Sequence, residues 1–276
     1  MPNVYYQSDR VVLYNDDCLS LLPSLPANSV DMIFADPPYN LSNGGITCHA
    51  GHMMAVDKGA WDRSRGINRD HEFELKWLEA CRHVLKDNGT IWISGTMHNI
   101  YSVGFALQRT GYKLLNEICW FKSNAPPNLS CRYFTHSHET VIWAAKSNKS
   151  KHKFNYKVIK ELAGGKQMRS VWPDIDASDD AHDIWSIGAP SPPEKKYKKH
   201  PTQKPLALLD RIIVASSEVG DTILDPFAGS STTGVAAILL GRRFIGIENS
   251  EEYLELSIKR LKDAEQLSDT FLHPQH

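Results

Sequence analysis

The sequence of 276 residues predicts an α/β fold organised around a parallel sheet. The first observation is the short apolar run 30–35, closed by Asp36, which is typical of a buried parallel strand that ends at a sheet edge. The second is the segment 222–248, where a strand, a small-residue loop, a helix and another strand form a nucleotide-binding βαβ pattern. A chain of this length can form one large domain or a domain with an insertion.

The first half of the chain alternates predicted strands and helices. We predict strands at 10–14, 30–35, 90–94, 117–122 and 140–145, and helices at 19–25, 73–85 and 101–108. The Asp-Asn-Gly sequence at 87–89 is expected to form the turn that stops the second helix. The polar, glycine-containing stretch 41–70 is expected to be a mobile flap, because a loop of this length in a compact domain is usually functional or disordered.

The second half contains a predicted insertion followed by the end of the core. Residues 146–199 are first basic, then acidic, then proline-rich, and they break the α/β alternation. A helix at 205–216, a strand at 222–224, a helix at 235–240 and a strand at 244–247 then resume it. The predicted division is therefore a first core segment at 1–145, an inserted recognition region at 146–199 and a second core segment at 200–276.

Charge and composition restrict the class of protein. The formal net charge of −1 predicts no general affinity for nucleic acid, so any such contact must come from local clusters such as 146–169, which holds eight basic residues and one acidic residue. Five cysteines without a CxxC pair are typical of a reduced, cytoplasmic protein. We predict neither a secretion signal nor a membrane span, and no metal site, because the histidines near Cys48 and Glu139 lack a recognised ligand spacing.

The tetrad Asp36-Pro37-Pro38-Tyr39 is the first candidate site. Its prolines stiffen the turn after the strand and remove two backbone donors. Such a turn suits a planar base with an exocyclic amino group: the Asp36 carboxylate and the Pro37 carbonyl would accept its two N–H protons, and Tyr39 would stack on its face. A rigid turn with an incidental acidic residue is the alternative interpretation.

The loop 225–234 is the second candidate site. It lacks the Lys-Ser/Thr pair of a P-loop, and Ser231 occupies the middle glycine position of a dinucleotide loop, so the sequence favours a nucleoside ligand without a pyrophosphate. S-adenosylmethionine fits this description. Glu248, 23 residues after Asp225, would bind the ribose, and Asp36 would bind the ammonium group. Thr232, Thr233 or Lys204 would bind the carboxylate.

The tetrad, the loop at Asp225 and the run 200–205 (His-Pro-Thr-Gln-Lys-Pro) together resemble the beta subgroup of amino-methylating DNA methyltransferases. The resemblance covers nearly all of 15–261 and implies a Rossmann-like S-adenosylmethionine-dependent methyltransferase fold, circularly permuted so that the catalytic motif precedes the cofactor loop, with an inserted target-recognition region. The expected cofactor residues are Asp17, Cys18, Asp36, Thr202, Lys204, Asp225, Phe227, Gly229, Ser230, Ser231, Thr232, Thr233 and Glu248.

Longer stretches, including 42–46 and 128–136, resemble the DpnA-type adenine methyltransferases, which modify N6 of adenine in GATC on single-stranded as well as duplex DNA. The resemblance implies a homodimer and a restriction endonuclease partner in the same system. The expected DNA contacts are Asn124, Lys151, Lys153, Lys166 and Arg169, and charge reversal of Lys151 and Lys153 is expected to weaken DNA binding. The target adenine would leave the helix to reach the site.

Four alternatives remain open from the sequence. The related GANTC enzymes share much of this core, although they typically carry an additional C-terminal domain. Cytosine N4 methyltransferases use the same geometry but more often have Ser in place of Asp36. Protein glutamine methyltransferases typically have Asn there, and the last alternative is a non-catalytic DNA-binding relative. Methylation of a cytosine ring carbon is excluded, because it would need a Pro-Cys nucleophile that the sequence lacks.

Overall fold

A computed structural model describes residues 3–42, 46–49, 52–55, 59, 62–122, 125, 127–172, 194, 197 and 203–272. The strands are β1 (Val4–Gln7), β2 (Val11–Asn15), β3 (Val30–Ala35), β4 (Ile46–His49), β5 (His52–Ala55), β6 (Leu85–Gly95), β7 (Lys113–Phe121), β8 (His138–Ala145), β9 (Val171–Trp172), β10 (Thr222–Asp225) and β11 (Arg243–Glu248). The helices are α1 (Cys18–Leu21), α2 (Ile67–Val84), α3 (Ile100–Arg109), α4 (Tyr156–Leu162), α5 (Leu206–Ser216), α6 (Thr232–Leu239) and α7 (Glu251–Leu272), with a 3₁₀ turn at Leu22–Ser24.

In the described part of the chain, nine strands form one sheet in the order β1-β2-β11-β10-β3-β6-β8-β7-β9. The five strands from β2 to β6 in this order are parallel, and β8 runs antiparallel between β6 and β7. The strands β10 and β11 lie in the middle of the sheet although they come last in the chain, which is the expected result of a circular permutation. The predicted α/β fold is therefore confirmed.

Alternation along β3 explains why the sheet is covered on both faces. Met32 and Phe34 belong to the apolar cluster on one face, together with Trp92 and the α5 helix. Ile33 and Ala35 belong to the cluster on the other face, which contains α2 and α3. Because successive side chains of a strand point to opposite faces, a continuous apolar run is what a strand buried on both sides requires. The strand therefore ends rigidly at the carboxylate that follows it.

Three local predictions are wrong. Helix α2 already begins at Ile67, inside the predicted flap, and ends at Val84, and the 87–89 sequence lies within β6 and not in a separate turn. The pairing of β6 with β3 shifts between Val30 and Met32, so residues 87–89 form an irregularity within strand β6. A Cβ on Gly89 would lie 2.9 Å from the Asp31 carbonyl, so glycine permits this close approach. The predicted helix at 19–25 is split, because Pro23 favours the 3₁₀ turn after α1.

The described part of the predicted insertion is built into the core. Helix α4 packs beside α5, and β9 adds to the edge of the sheet, where Trp172 is buried near Trp92. Residues 173–193 of this segment lie outside the described residues. None of the helices in the described part of the chain has the length and apolar character of a membrane span. Within the same ranges, no three His, Cys, Asp or Glu side chains form a group that could hold a metal.

Candidate active site

Asp36 and Asp225 lie at the same edge of the sheet. The strands β3 and β10 are parallel neighbours, Asp36 follows β3, and Asp225 is the last residue of β10. The connections α6 and α2 lead away from these two strands in opposite directions, and ligands of open α/β sheets bind at such a switch point. A cavity of about 640 Å³ opens here, and both carboxylates line it.

The tetrad Asp36-Pro37-Pro38-Tyr39, called the Asp36 corner below, holds a carboxylate with both oxygens engaged. The Tyr39 hydroxyl donates to Oδ1 of Asp36 at 2.6 Å, and the Lys204 ammonium donates to Oδ2 at 2.6 Å. Asp36, Pro37 and Pro38 line the cavity. The Tyr39 side chain is only 7% exposed and is not among the described residues of the cavity wall, so this arrangement does not present its ring to a ligand.

Glu139 forms a second carboxylate behind the corner. Its Oε2 accepts a hydrogen bond from the Tyr39 hydroxyl at 3.2 Å and lies 3.7 Å from the Lys204 ammonium. Lys122 forms an ion pair with the other oxygen of Glu139. The hydroxyl and the ammonium that hold Asp36 are therefore both within reach of an alternative acceptor.

Burial and charge set the protonation states in this cluster. Burial raises the pKa of Asp36, although the neighbouring Lys204 lowers it. Burial also raises the pKa of Tyr39 well above its usual value, and Asp36 and Glu139 raise it further, so the phenol remains a donor. Burial alone would lower the pKa of Lys204, but the same two carboxylates raise it, so this side chain remains a cation.

The backbone of the corner is fixed by Asp62, a buried residue from the end of the predicted flap. Its Oδ1 accepts from the Tyr39 amide at 2.9 Å, and its Oδ2 accepts from the Leu41 amide at 3.1 Å and from the Ser42 hydroxyl at 2.9 Å. The side-chain amide of Asn99 donates to the Pro38 carbonyl at 3.4 Å. The turn is thus held from both sides, so little entropy is lost when its acceptors bind a substrate.

Asp225 organises the second loop. Its Oδ1 accepts from the Phe227 amide at 3.0 Å and its Oδ2 from the Thr233 hydroxyl at 2.6 Å. Burial raises the pKa of Asp225 to about 7. Phe227 packs edge-on against Trp77, with ring centroids 5.4 Å apart, and lines the cavity as an apolar wall.

The predicted cofactor residues of this loop point in two directions. Gly229, Ser230, Thr232 and Thr233 line the cavity. Ser231 does not, because its backbone is left-handed (φ 54°) and its hydroxyl turns inward to Ser257 at 2.9 Å. In this arrangement Ser231 supports the loop from beneath, and its contact with a ligand remains a prediction.

Arg260 supports the same loop from α7. Its guanidinium donates to the Ser230 carbonyl, to the Ser230 hydroxyl at 2.9 Å and to the Thr232 hydroxyl at 3.0 Å. Burial lowers the pKa of Arg260 to about 10. No sequence motif indicated this residue, since a single arginine in a long amphipathic helix is usually a solvated side chain.

Glu248, Asp17 and Cys18 also line the cavity. The Glu248 carboxylate accepts from the amides of Gly229, at 2.9 Å, and Ser250, at 2.9 Å, which fixes its direction. Asp17 caps α1 by accepting from the Leu19 amide at 2.8 Å. Burial raises the pKa of the Cys18 thiol to about 12, so it is a neutral apolar contact.

The cavity wall favours a cationic ligand with a flat apolar part. Eight acidic and three basic side chains belong to its described lining, and Phe227 supplies the aromatic surface. The Gln203 side chain also lines the cavity, and its buried Oε1 has no hydrogen-bond partner in the described structure. A buried acceptor of this kind is costly unless a ligand supplies the donor. The residues therefore fit a positively charged nucleoside.

Lys204 lines the cavity, and its ammonium is bound by Asp36 and lies 3.7 Å from Glu139. Its predicted contact with the carboxylate of the ligand remains a prediction. The Thr232 hydroxyl accepts from Arg260 and the Thr233 hydroxyl donates to Asp225, so hydrogen bonds within the protein fix the directions of both hydroxyls. Thr202 lies outside the described residues.

Two of the predicted DNA contacts lie away from the cavity. Lys151 follows β8 and its amide donates to Asn88, while Lys153 forms ion pairs with Asp221 at 2.9 Å and Glu218 at 3.2 Å. Both positions lie at the amino-terminal ends of the parallel strands, at the edge of the sheet opposite the cavity. A contact of Lys151 or Lys153 with DNA remains a prediction.

Two of the remaining predicted DNA contacts are compatible with the site. Lys166 and Arg169 are exposed and precede β9, which pairs with β7 near its carboxyl end. Asn124 lies outside the described residues.

Sequence reasoning missed Ser94, Asp62 and Glu139 as members of the site. Ser94 is buried at the end of β6, and its hydroxyl lies 2.8 Å from that of Tyr39. The signal was present for Ser94, because the carboxyl ends of neighbouring parallel strands meet at one edge. Glu139 lies near the start of an antiparallel strand, whose direction the sequence did not reveal.

The comparisons with known proteins agree with this geometry. The sequence model of the family described as DNA methylase matches residues 30–259. The type II methyltransferase M2.DpnII of Streptococcus pneumoniae is 51% identical over 95% of this chain and 93% of its own length. M2.MboI of Moraxella bovis is 48% identical over 93% of this chain and 90% of its own length.

Solved structures share the architecture. The crystal structure of the M1.HpyAVI–SAM complex has a TM-score of 0.62 and 27% identity, and the match covers 91% of this chain and 98% of that chain. The PvuII DNA methyltransferase, described as cytosine-N4-specific, has a TM-score of 0.69 over 99% of this chain and 96% of its own. At 19% identity, the second likeness shows a common fold alone.

Proposed function

The chain belongs to the DNA methylase family, and from that premise we propose that it transfers a methyl group from S-adenosylmethionine to N6 of adenine in GATC. The observation that carries the proposal is the Asp36 corner, a rigid acceptor at the rim of an acidic cavity. The resemblance of the longer stretches to the DpnA-type enzymes and the 51% identity to M2.DpnII support the site preference. The family assignment made from the motifs is confirmed.

The cavity provides the features that S-adenosylmethionine needs. When bound, this cofactor supplies a methyl group that is already activated on a sulfonium. Phe227 would face the adenine ring, Glu248 would accept from the ribose hydroxyls, and Asp225 would add to the negative charge opposite the cationic part. An excess of acidic side chains on the wall lowers the energy of a bound cation by Coulomb attraction.

The chain's own contribution to the transfer is to hold the amino group. The lone pair of adenine N6 is delocalised into the ring, so acceptors that take its protons favour a tetrahedral, more nucleophilic nitrogen. Asp36 would accept a hydrogen bond from one N–H and the Pro37 carbonyl from the other, and the one proton that N6 loses on methylation would pass to the Asp36 carboxylate. No covalent bond to the protein is needed, because the methyl group is already activated. The protein has mainly to position the amino nitrogen in line with that methyl group.

Asp36 becomes a stronger acceptor for the amino group if its present partners are released, because each of its oxygens already accepts one hydrogen bond. Tyr39 and Lys204 occupy its two oxygens, and Glu139 lies within 3.7 Å of the Lys204 ammonium and within 3.2 Å of the Tyr39 hydroxyl. We propose that these two donors move towards Glu139 when the adenine arrives. The Tyr39 ring, buried in this arrangement, would then be uncovered and could stack on the extrahelical base.

The exposed surface suggests how the enzyme meets its partners. The segment 146–199 is proposed as the target-recognition region, with Lys166 and Arg169 of its described part near the site. The exposed face of α3, which carries Tyr101 and Phe105, is proposed as the surface of a homodimer, because large exposed apolar patches favour association. The type II relatives support a restriction endonuclease partner in the same system.

The function is tested by methylation of a random-sequence DNA pool, supplied as single strands and as duplexes. We expect N6-methyladenine as the modified nucleoside, mapped to GATC in both pools. N4-methylcytosine would contradict the adenine assignment, and N6-methyladenine at GANTC would contradict the site assignment. Sedimentation of the purified chain tests the dimer separately, since a monomer at micromolar concentration would contradict it.

A further inference from the structure

The loop between β7 and β8 rises from the edge of the sheet where the Asp36 corner lies. Lys122 and Ser137 close its base, with the Lys122 amide donating to the Ser137 carbonyl at 2.7 Å. Glu139, which contacts Tyr39 and Lys204, is the second residue after this base. The described residues 127–137, called the aromatic loop below, therefore lie beside the catalytic cluster.

Internal hydrogen bonds give the aromatic loop a defined shape. The Asn128 side chain donates to the Tyr133 carbonyl at 2.6 Å and accepts from the Ser130 amide at 3.1 Å and the Ser130 hydroxyl at 2.7 Å. Cys131 adopts a left-handed backbone, with φ 54°, at the tip of the turn. A loop that is braced in this way presents its outer side chains in fixed directions and loses little entropy when it binds.

The side chains that this scaffold presents are apolar rings in water. Phe134 is 96% exposed and Tyr133 is 61% exposed, and the Tyr133 ring lies 5.6 Å from that of His136. Exposure of a phenylalanine leaves an apolar area of the order of 150 Å² or more in contact with water. The segment contains no acidic residue, and Arg132 is exposed next to the rings. Braced aromatic rings with a neighbouring cation are the features that bind unpaired bases and their phosphates.

We infer that the aromatic loop is a base-stacking site, in which Phe134 packs against the bases that flank the adenine in the DNA strand being methylated. The inference rests on the proposed function and extends it. When the adenine leaves the helix to enter the site at the Asp36 corner, a gap opens in the base stack of the DNA. The Phe134 ring would fill this gap. On single-stranded DNA the same ring stacks on an unpaired neighbour, so one loop would serve both substrates.

The test compares Phe134→Ala, Phe134→Trp and Val219→Ala in the full chain. Val219 is 76% exposed and precedes β10 at the opposite edge of the sheet, so its variant controls for loss of an exposed apolar group. We measure the Kd for single-stranded and duplex DNA, the Kd for S-adenosylmethionine and the fluorescence of 2-aminopurine placed at the target adenine. These readouts separate DNA binding from cofactor binding and from base extrusion.

Phe134→Ala should weaken binding to both DNA forms by about 5- to 150-fold, the range for one base–aromatic stack, and should reduce the 2-aminopurine signal. Cofactor affinity should not change, Phe134→Trp should restore DNA binding, and Val219→Ala should match the unaltered chain. Equal DNA affinities for Phe134→Ala and the unaltered chain would overturn the inference, as would a change confined to oligomeric state. If the unaltered chain methylates no DNA, the proposed function fails instead, so the two failures are distinguishable.

Discussion

The two halves of the candidate active site are held in different ways. In the cofactor loop, Asp225 binds a neighbouring amide and hydroxyl, and Glu248 binds backbone amides, so each acidic side chain is fixed by the loop itself. At the Asp36 corner, the carboxylate is bound by a phenol of the same tetrad, Tyr39, and by a cation from a distant part of the chain, Lys204. The cofactor side is thus already arranged for binding, whereas the acceptor strength of the corner depends on where its two donors are held.

This difference follows from what each half must bind. A cofactor wall performs the same task in every cycle, and preorganised dipoles reduce the cost of binding. An acceptor for an amino group must have lone pairs available at the moment of transfer, yet a buried carboxylate without partners would be costly while the substrate is absent. Lys204 and Tyr39 donate hydrogen bonds to Asp36 while the substrate is absent. Glu139 lies close enough to accept from both donors when the substrate is bound.

The largest expected effect is the loss of the acceptor itself. Asp36→Ala should lower kcat by about 100- to 1,000-fold, because the developing charge on N6 loses a preorganised partner. The Kd for S-adenosylmethionine should rise much less, since the cofactor wall keeps its own hydrogen bonds. Single-turnover methylation of a GATC duplex, together with cofactor titration, measures both quantities.

Asp31→Asn is the matched control for this variant. Asp31 lies on the same strand as the corner but pairs with Lys86 and with the Thr222 amide, away from the cavity. Its substitution should leave kcat near that of the unaltered chain. Near-normal turnover by Asp36→Ala would show that the corner does not carry the reaction.

On the cofactor side, Asp225 should make the free energy of unfolding depend on pH. Burial raises the pKa of Asp225 to about 7, whereas an unfolded aspartate titrates near 3.9. The stability contributed by the protonated carboxyl is therefore fully present below about pH 4 and is lost as the pH rises through about 7. Asp225→Asn cannot titrate, so the difference in unfolding free energy should shift in its favour by about 2 kcal/mol between pH 5 and pH 7.

Urea unfolding of Asp225→Asn and the unaltered chain across this pH range, without cofactor, measures the shift. The change in the pH dependence of the unfolding free energy is assigned to Asp225 only if the pH profile of Asp31→Asn matches that of the unaltered chain. Parallel pH profiles for Asp225→Asn and the unaltered chain would show that the carboxyl at the end of β10 titrates at an ordinary value.

Glu139→Gln tests whether the corner depends on partner exchange. Without the second carboxylate, Lys204 keeps Asp36 as its ion-pair partner among the described residues, so we expect kcat to fall about 10- to 30-fold while the cofactor Kd stays constant. Glu139→Asp should recover part of the rate because it restores the charge. A rise in KM for DNA with unchanged kcat would instead assign Glu139 to substrate binding.

The sequence predicted the parts of the site that are continuous in the chain. Buried strands that end in Asp36 and Asp225 are read directly from apolar runs, and small residues at 229–233 indicate a loop close to a ligand. Glu139, Asp62 and Arg260 reach the site through tertiary packing, for which no local pattern exists. Basic runs do not show at which edge of the sheet a residue lies: Lys151 and Lys153 share a charged segment with Arg169 but lie at the other edge, because β8 is antiparallel.

The smallest expected effect separates these two groups of basic residues. Arg169 is exposed before β9, near the carboxyl end of β7, and its carbonyl is fixed by the Trp172 indole at 2.9 Å. Arg169→Glu should weaken DNA binding about 3- to 10-fold and reduce the salt dependence of log Kd by roughly one phosphate contact. Lys151→Glu is the matched control, since it reverses an exposed charge at the opposite edge. It should leave the affinity for DNA within about twofold of that of the unaltered chain. Equal losses of DNA affinity in both variants would show instead that DNA also contacts the edge of the sheet at which Lys151 lies.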